Sequence, residues 1–340
     1  MIDFRSDTVT RPSDSMKQAM FDAQVGDDVY GDDPSINALE TWVAQQHNFE
    51  AAIFCSSGTQ ANLLALMSHC ERGDEYLCGQ QAHNYKFEGG GAAILGSIQP
   101  QPVENEKDGT LCFTKLKSYI KPIDPHFART TLLSLENTIN GKVLPLSYLA
   151  QARDFVNEHK LQLHLDGARV YNAATALNVE ITEISQYFDS MTICLSKGLG
   201  APIGSLLLGS TALIAKARRW RKVLGGGMRQ AGILAAAAKI ALAENVSKLK
   251  QDHANALYLA QNLNKINGVT TNPDHVQTNM VFVKLNKPSC IDHLVTALKA
   301  KDILISPGHP IRLVTHLDIS REDIDIFIDE ISSLIAQYQN

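Results

Sequence analysis

The sequence predicts an α/β fold in two parts, a large domain with a mostly parallel sheet and a smaller α+β domain after it. Short apolar runs alternate with helical patterns over the first two-thirds of the chain, which is typical of a parallel sheet covered by helices on both sides. Beyond a long helical stretch rich in Ala and Leu, the pattern changes to two strands that are each followed by a helix. The length of 340 residues fits two domains, since one domain usually takes about 150 residues.

The strands of the large domain are predicted from short apolar runs that polar or turn residues bound, at 51–57, 74–80, 130–137, 161–167, 191–197 and 204–210. Periodic segments between them predict helices. In residues 146–160, for example, Leu149, Ala152 and Val156 share one face. The long helical stretch runs from about Arg229 to Ile266.

The small domain is predicted from two strands, 279–285 and 311–316, with a helix near 289–302 between them and a final helix at the end. Ser320 is the expected N-cap of that final helix. The helix carries one apolar stripe, formed by Ile324, Phe327, Ile328, Ile331 and Ile335. We place the domain boundary near residue 245, so that residues 1–245 form the large domain with an N-terminal arm and residues 246–340 form the small one.

Composition and charge exclude several classes of protein. The net charge of −5 and the pI near 6.1 favour neither nucleic acid nor an anionic membrane as a partner. The chain starts without an apolar targeting segment, and no apolar run approaches the ~18 residues that cross a bilayer. Its six cysteines are scattered without a C-x-x-C pair, which predicts neither a disulfide framework nor a zinc site. We therefore expect a protein of the reducing cytoplasm.

The first candidate site follows the strand at 51–57. There Ser57, Gly58 and Thr59 lead directly into a helix. A glycine lets the backbone approach a ligand, and a helix N-terminus offers free N–H groups, so this turn could bind a phosphate group. An ordinary turn in which Ser57 or Thr59 caps the helix explains the same residues. The missing G-K-[ST] sequence argues against a nucleoside triphosphate.

Two further strands end in charged residues. The strand at 161–167 ends in Asp166, with Arg169 three residues later, and the strand at 191–197 ends in Lys197 followed by glycines. An acid at a strand tip suits a ring nitrogen that must stay protonated, and a buried lysine amine can act as a nucleophile. A helix cap at Asp166, a solvated Arg169 and a surface turn at Lys197 are the simpler explanations.

These three features strengthen one another because each falls at the carboxyl end of a predicted strand. In open α/β sheets, ligands bind at that edge. Asp166 and Lys197 are 197 − 166 = 31 residues apart, which leaves room for one crossover between their strands.

The chain also resembles a known family over essentially its whole length. It is similar to the fold type I pyridoxal phosphate (PLP) enzymes and, among them, to the bacterial low-specificity L-threonine aldolases. The resemblance rests on motifs that occur in order along the chain, namely RSDTVTRP (5–12), GDDVYGDDP (26–34), SSGTQAN (56–62), HNYKFEGGGAA (83–93), LENTINGKVLPL (135–146), LHLDGARVYNA (163–173), TICLSKGLGAPIGS (192–205), RRWRKVLGGGMRQAG (218–232) and IRLVTHLD (311–318).

The resemblance implies a fold of the PLP-dependent transferase type and a set of cofactor-binding residues. Lys197 would hold PLP covalently, and Asp166 would face the pyridine nitrogen. Gly58 and Thr59 would bind the phosphate, with Arg229 reaching across from a second subunit. The family further implies a homo-oligomer, at least a dimer and more specifically a tetramer built as a dimer of dimers. No metal-ligating residue is predicted, and whether a cation binds is left open.

Three residues would hold the substrate. Arg169 would lie near the ring O3′ and, with Ser6 and Arg312, would bind the substrate carboxylate, which suits the bidentate geometry of a guanidinium group. A cap at Ser6 and a charge on a strand face at Arg312 are the simpler alternatives, and the sequence alone favours them.

The resemblance also assigns two histidines to the site. His83 would cover the pyridine face, and His126 would be the second active-site histidine. The alternatives are a core or metal-binding His83 and a solvated loop histidine at 126, but no second ligand is expected beside His83, because none lies at metal-ligand spacing in the sequence. Tyr30, Phe87 and Lys222 resemble residues that line the family's pocket, and Tyr30 is expected to contact substrate, while the roles of Phe87 and Lys222 stay open.

The implied reaction is the cleavage of L-threonine, L-allo-threonine and related β-hydroxy-α-amino acids into glycine and an aldehyde. His83, His126 or a water molecule held by them would take the proton of the β-hydroxyl group. Three rivals remain: β-elimination or transamination of a small amino acid on the same scaffold, a PLP-binding sensor without catalysis, and a protein that binds another phosphorylated ligand. The preference between threo and erythro substrates is left open.

Overall fold

The computed structural model describes residues 1–339 and contains two helix-covered regions of sheet. Its strands are β1 (Ile2–Asp3), β2 (Ala51–Cys55), β3 (Asp74–Gly79), β4 (Gln99–Val103), β5 (Arg129–Glu136), β6 (Gln162–Gly167), β7 (Ser190–Cys194), β8 (Ser205–Gly209), β9 (Val269–Thr270), β10 (Met280–Leu285), β11 (Ile303–Leu304) and β12 (Ile311–Val314).

Its helices are α1 (Asp14–Phe21), α2 (Pro34–Gln46), α3 (Gly58–His69), α4 (His83–Lys86), α5 (Gly91–Ile94), α6 (Phe113–Tyr119), α7 (Leu146–His159), α8 (Val170–Leu177), α9 (Thr182–Ser185), α10 (Thr211–Val223), α11 (Gly232–Glu244), α12 (Leu249–Leu263), α13 (Ile291–Lys299) and α14 (Arg321–Gln339). Within residues 1–339, none of them is long and apolar enough to cross a membrane.

The main sheet confirms the predicted α/β class. Its strands lie in the order β2-β8-β7-β6-β5-β3-β4, and all of them except β8 run in the same direction. Strands β6 and β7 and the central part of β5 are buried, as expected for strands that helices cover on both faces, although each also carries polar residues. The predicted apolar face of helix α7 is confirmed, since Leu149, Ala152 and Val156 are fully buried.

All six strands predicted for the large domain are present; five are one or two residues shorter than the predicted run, and β5 has the predicted length but is displaced by one residue. Strand β4 was not predicted, because its sequence QPQPV contains two prolines and no apolar run. It pairs only with β3 at the edge of the sheet, where a residue without a backbone N–H is tolerated.

The predicted helical stretch from Arg229 to Ile266 is two helices, α11 and α12, separated by a short 3₁₀ turn at Val246–Lys248. Asn245 lies at the break, where its buried side-chain amide donates to the carbonyl of Leu199 (2.8 Å). The division of the chain at residue 245 stays a prediction.

The C-terminal region packs a small antiparallel sheet, β12-β10-β9, against α12, α13 and α14. The expected cap of α14 is confirmed, since Ser320 Oγ accepts from the Asp323 backbone N–H (3.1 Å) and the Asp323 carboxylate accepts from the Ser320 backbone N–H (2.8 Å). This reciprocal pair satisfies two donors at the helix start.

The first residues of the chain belong to this C-terminal core. Strand β1 runs parallel to β11, and the carbonyl of Phe4 accepts from the backbone N–H of Val314 (2.9 Å). The Phe4 ring is fully buried, 4.8 Å from the ring of Phe327. The arm that leads from β1 toward the main sheet therefore starts from a fixed position.

Candidate functional site

The candidate site lies at the carboxyl edge of the main sheet. Strands β2, β3, β5, β6 and β7 all end at this edge, because they run in one direction. The segments that follow them carry Ser56–Thr59, His83, Glu136, Asp166 and Lys197. Chain direction thus brings together residues that are far apart in the sequence.

The proposed phosphate turn is both a cap and an open backbone site. Ser57 Oγ caps α3 by accepting from the Gln60 backbone N–H (3.1 Å). A Cβ built onto Gly58 has no atom of residues 1–339 within 4 Å, and the Thr59 side chain is exposed. Free space therefore lies over the N-terminus of α3, where N–H groups favour an anion.

Asp166 is fixed at the tip of β6. It is buried, and its carboxylate accepts from the side-chain amide of Asn62 (2.7 Å) and from the backbone N–H of Ala168 (3.1 Å). Asn62 is itself held by Thr192, whose hydroxyl donates to Asn62 Oδ1 (3.0 Å). The simple helix-cap explanation leaves these contacts unexplained.

Lys197 lies half-buried in the loop after β7. Its backbone carbonyl accepts from the Thr10 hydroxyl (3.0 Å) and from the Gly200 backbone N–H (2.9 Å). Its ammonium group interacts electrostatically with Asp7, Glu136 and His83. The lysine therefore faces the same group of charges as the other site residues and does not lie in a solvated surface turn.

His83 begins the short helix α4, and both its backbone and its ring are bound. Its backbone N–H donates to Glu136 (2.7 Å), and its Nδ1 lies 2.8 Å from Glu88 Oε1. The hydrogen bond to Glu88 raises the pKa of His83 above its ordinary value, with a smaller opposing effect of burial. The Phe87 ring, 62% exposed, lies 5.7 Å from the His83 ring, between centroids.

Arg169 already has a carboxylate partner within the chain. Its Nε and Nη2 donate to the two oxygens of Asp7 (2.8 and 2.6 Å), and Asn279 donates to the same carboxylate (3.2 Å). Asp7 is fully buried, yet the charge and hydrogen bonds of Arg169 hold its pKa far below the ordinary value. Asp7 thus occupies Nε and Nη2 of Arg169. Only the other edge of the guanidinium group is left to bind the substrate.

Ser6 and Arg312 meet beside this ion pair. Ser6 Oγ accepts from the Thr8 backbone N–H (3.2 Å), so it is a cap as the simpler alternative held. Arg312 is half-buried on β12, its Nη2 donates to the carbonyl of Arg5 (3.2 Å), and it lies within electrostatic range of Arg169. The structure therefore brings Ser6, Arg169 and Arg312 together around the N-terminal arm.

Glu136, at the end of β5, is a further acid of the site. Burial, followed by the nearby Asp166, raises the pKa of Glu136 to about 8. Its side chain thus carries a proton near neutral pH and accepts the His83 N–H described above. It is the neighbour of Asp166 in the strand register.

His126 is not brought to this edge within one chain. It precedes β5, and the seven residue steps from Arg129 to Glu136 span about 23 Å. Three residues can recover at most about 11 Å of that distance, so the Cα atoms of His126 and Glu136 are at least about 12 Å apart. The His126 side chain is 86% exposed and contacts Asp124 (2.6 Å).

Tyr30, Lys222 and Arg229 also lie on the outer surface of the chain. Tyr30 is 77% exposed in a turn, and Lys222 is exposed near the end of α10. Arg229, expected to bind the phosphate of a second subunit, donates here to Asp27 of its own chain (2.7 Å). None of these three side chains has a recorded hydrogen bond to another of the site residues named above within residues 1–339.

The glycine-rich segment before Arg229 has a local structural role that the sequence did not suggest. Gly225, with φ of +76°, ends α10 in a conformation that favours glycine. Gly226 is buried against the end of the Gln60 side chain, and a Cβ there would displace that side chain, whose Oε1 accepts from the Ser56 backbone N–H (3.1 Å). The segment is therefore more than a flexible turn.

Sequence reasoning missed four residues of the site, which are Asp7, Asn62, Glu88 and Glu136. Each lies inside one of the motifs quoted above, and that is the only signal the sequence carried. Their roles depend on partners far along the chain, such as the 162 positions between Asp7 and Arg169.

The expectation that no second metal ligand lies beside His83 needs a correction. Among residues 1–339, ligand atoms of His83, Glu88 and Asp166 lie within 4.8 Å of one another. Asn62, however, directs its amide hydrogens at both carboxylates. This arrangement is a hydrogen-bonded network.

Comparison with known proteins agrees with this arrangement. Residues 3–286 match the family model of β-eliminating lyases. The chain is 57% identical to the low specificity L-threonine aldolase of Escherichia coli K12, over 95% of this chain and 96% of that protein. It is 42% identical to low-specificity L-threonine aldolase 1 of Arabidopsis thaliana, over 95% and 93%. Among solved structures, the threonine aldolase of Leishmania major aligns with a TM-score of 0.83 at 20% identity, covering 98% and 100% of the two chains, and this likeness concerns the fold.

Proposed function

Because this chain belongs to the β-eliminating lyase family and, within it, to the low-specificity L-threonine aldolases, we propose that it cleaves L-threonine and L-allo-threonine into glycine and acetaldehyde. Related β-hydroxy-α-amino acids would be cleaved in the same way. The enzyme is a lyase that acts on a small amino acid.

The residues at the sheet edge fit PLP as the cofactor. The open N-terminus of α3 suits its phosphate, the buried Asp166 suits its ring nitrogen, and Lys197 offers an amine beside them. His83 lies alongside, with one ring face next to Phe87. When bound, PLP supplies an electron sink for the electrons of the broken Cα–Cβ bond.

Substrate orientation falls to the residues around the N-terminal arm. We assign the substrate carboxylate to Arg312, the Ser6 hydroxyl and the uncovered edge of Arg169. Arg312 is the principal partner, because Asp7 already occupies Nε and Nη2 of Arg169. Pinning the carboxylate restricts rotation about Cα and thereby decides which bond is broken.

Cleavage needs a base at the β-hydroxyl group, and His83 Nε2 is the candidate within the chain. An ionised carboxylate only accepts hydrogen bonds, so Nδ1 of His83 carries the hydrogen that faces Glu88. Nε2 is then the nitrogen with a free electron pair. It can take the proton of the hydroxyl group directly or through a water molecule.

The observation that carries this proposal is the convergence of Lys197, Asp166 and an open helix N-terminus at one edge of the sheet. The test loads the purified protein with PLP and measures the products formed from L-threonine and L-allo-threonine. Glycine and acetaldehyde are expected, whereas a keto acid or ammonia would point to transamination or β-elimination.

Lys197→Ala should lose cleavage and the visible absorbance of bound PLP, while the circular dichroism of the protein is kept. Lys216→Ala, which changes an exposed lysine on α10, is the matched control and should keep both. Full activity in Lys197→Ala would refute the assignment.

We further propose a homo-oligomer, a dimer at least and a tetramer as its full form, in the cytoplasm. Support for the oligomer comes from the exposure of His126, Tyr30 and Arg229, which leaves these side chains available to the site of a neighbouring subunit. All six cysteines are free thiols within residues 1–339, which supports a reducing compartment.

A further inference from the structure

We propose that Glu88 is the positioning residue for His83 in the reaction proposed above, and that Asn62 couples this histidine to Asp166 by donating one amide hydrogen to each carboxylate. This inference rests on the proposed function, since it assigns the orientation of the base for that reaction. The groups concerned, Glu88, His83, Asn62 and Asp166, are linked by direct hydrogen bonds.

Within residues 1–339, the recorded side-chain hydrogen bonds of Glu88 are those with His83 and Asn62. Its side chain is 4% exposed, although it belongs to a glycine-rich loop on the outside of the sheet edge. A single oxygen, Oε1, accepts from His83 Nδ1 (2.8 Å) and from Asn62 Nδ2 (2.8 Å). Burying a carboxylate costs free energy unless hydrogen bonds offset the loss of water, and these two bonds do so.

This contact determines which nitrogen of His83 can accept a proton. A free neutral imidazole exchanges between two tautomers, and the partner of one nitrogen decides the state of the other. With Nδ1–H directed at Glu88, Nε2 is held as the acceptor throughout the pH range in which Glu88 is ionised. Burial raises the pKa of Glu88 and the hydrogen bond from His83 opposes that rise, so this range begins above the ordinary pKa of a glutamate. The same bond fixes the plane of the ring, which its 39% exposure would otherwise leave free to turn.

Asn62 extends the arrangement to the acid that faces the ring nitrogen of PLP. Its side-chain amide has two hydrogens, and the same nitrogen lies 2.8 Å from Glu88 and 2.7 Å from Asp166. The hydroxyl of Thr192 donates to Asn62 Oδ1, which determines the direction of the amide. Asn62 lies one turn into α3, so the helix that presents the phosphate turn also orders both carboxylates.

Four ionisable groups act on the His83 ring from the elements packed around it. They are Glu88, Asp166 on β6, Glu136 on β5 and Lys197 after β7. The hydrogen bond to Glu88 has the largest effect and raises the pKa of His83, whereas burial and Lys197 lower it. Removal of the Glu88 charge alone should therefore lower the pKa of His83.

The first experiment compares wild type and Glu88→Gln holoenzyme. The variant keeps the shape and the accepting oxygen but loses the charge. Because only neutral His83 accepts a proton, the acid limb of kcat/KM for L-threonine should move to lower pH. The plateau of kcat should fall roughly 10- to 100-fold, the cost found when a carboxylate that orients a functional histidine is removed from metal sites. Glu71→Gln, which changes an exposed acid at the opposite edge, should match wild type.

A second measurement does not depend on turnover. In the ¹⁵N-histidine spectrum of the holoenzyme, the signals of His83 are those lost in His83→Asn. In wild type they should show hydrogen on Nδ1, and in Glu88→Gln their titration midpoint should lie at lower pH. An unchanged midpoint together with an unchanged acid limb would overturn the role of Glu88.

Asn62→Ala tests the coupling. In this variant, Glu88 and Asp166 lose the donor that they share. Because of this loss, PLP binding, measured by equilibrium dialysis, should be roughly 10- to 100-fold weaker, and the His83 signals should shift. Asn62→Ser, which keeps one donor, is the gentler variant if Asn62→Ala fails to fold. Wild-type PLP affinity and unchanged His83 signals in the folded variant would overturn the coupling. A wild-type protein that does not cleave threonine would refute the proposed function, while the histidine spectra would still decide this inference.

Discussion

His83 has one ring nitrogen committed to the protein and one available to a ligand. The same residue is anchored through its backbone N–H to Glu136, so the ring and the main chain are held by two different acids. Such double fixation is expected where a side chain must meet a reacting atom within a fraction of an ångström. Replacement of the His83 side chain should therefore affect the reaction more than the fold.

We expect His83→Asn to lower kcat/KM for L-threonine by about 10²–10⁴-fold, the usual contribution of a general base. Glycine has no β-hydroxyl group, so its binding should stay close to wild type. Both quantities can be measured on the same PLP-loaded sample, with His275→Asn, an exposed histidine, as the control. A wild-type rate in His83→Asn would leave a water molecule or another group as the base.

The residues of the site divide according to how far the sequence could identify them. Asp166 and Lys197 were predicted, because an apolar strand that ends in a charged residue is visible in a few consecutive letters. Asp7 and Asn62 were not, because each is one polar residue among many until the fold supplies its partner. Their roles come from long-range hydrogen bonds, to Arg169 and to Asp166, and these have no local pattern.

Helix α3 combines a structural and a binding role in its first turn. Ser57 satisfies one of the free N–H groups, while Gly58 leaves the space above the others open. The glycine has an ordinary backbone conformation, so its value lies in the missing side chain and not in a special φ angle.

Gly58→Ala should therefore fold normally and bind PLP poorly. The added methyl group meets no atom of residues 1–339 within 4 Å, so Tm should stay within about 2 °C of wild type. The methyl group would occupy phosphate space, and loss of one hydrogen bond to a charged group corresponds to roughly 10-fold weaker binding. Gly226→Ala is the informative contrast, because its Cβ collides with Gln60 and should lower Tm. Undiminished PLP affinity in Gly58→Ala would place the phosphate elsewhere.

The elements were predicted best where burial imposes a pattern. Strands β5 to β7 are covered on both faces at their centres, so each contains buried apolar residues, such as Leu132, Leu133 and Leu135 in β5. Strand β4 lies at an edge and the strands β1 and β11 are two residues long, so pairing with neighbours decides their structure and leaves no comparable pattern. The boundary between α11 and α12 was not predicted for a similar reason. Asn245 lies at this boundary, and its side chain donates a buried hydrogen bond to Leu199, a contact that no local sequence pattern indicates.

The buried neutral histidines of the molecule act against its stability below neutral pH. Burial lowers the pKa of His47 and His69 to about 4 and that of His164 to about 3. An unfolded chain takes up protons on these residues near pH 6.5, whereas the folded chain does so only near pH 3–4, so their contribution to stability is complete above pH 6.5 and falls below it. Glu136 and Asp252 act in the opposite direction, because burial raises their pKa to about 8 and about 7.

We expect the change in Tm from pH 7 to pH 5 to be less unfavourable in His69→Gln than in wild type, since one of the groups that take up protons on unfolding is removed. His275→Gln, at an exposed position, provides the comparison. An equally steep slope in both variants and in wild type would assign the acid sensitivity to other groups.

Assembly can be tested through the position of His126. We expect His126→Asn to change the ratio of L-threonine to L-allo-threonine cleavage with only a modest loss of rate. The decisive sample is a purified hetero-oligomer in which Lys197→Ala chains pair with His126→Asn chains. If His126 serves a neighbour, every intact Lys197 meets an intact His126, and the ratio returns to that of wild type. If His126 serves its own chain, the ratio stays at the value of the His126→Asn protein.

The pairing of residues 2–4 with residues 303–314 has a consequence for the order of folding. Asp7, which holds Arg169, lies four residues after the end of strand β1, and Ile2 of that strand pairs with Ile303, 303 − 2 = 301 positions away. Closing so long a loop costs chain entropy before the contact forms, so pairings of this range form late compared with local ones. We therefore expect the arm that carries Asp7 to dock after the helices and hairpins have formed, so that the ion pair with Arg169 is among the last contacts of the site to be made.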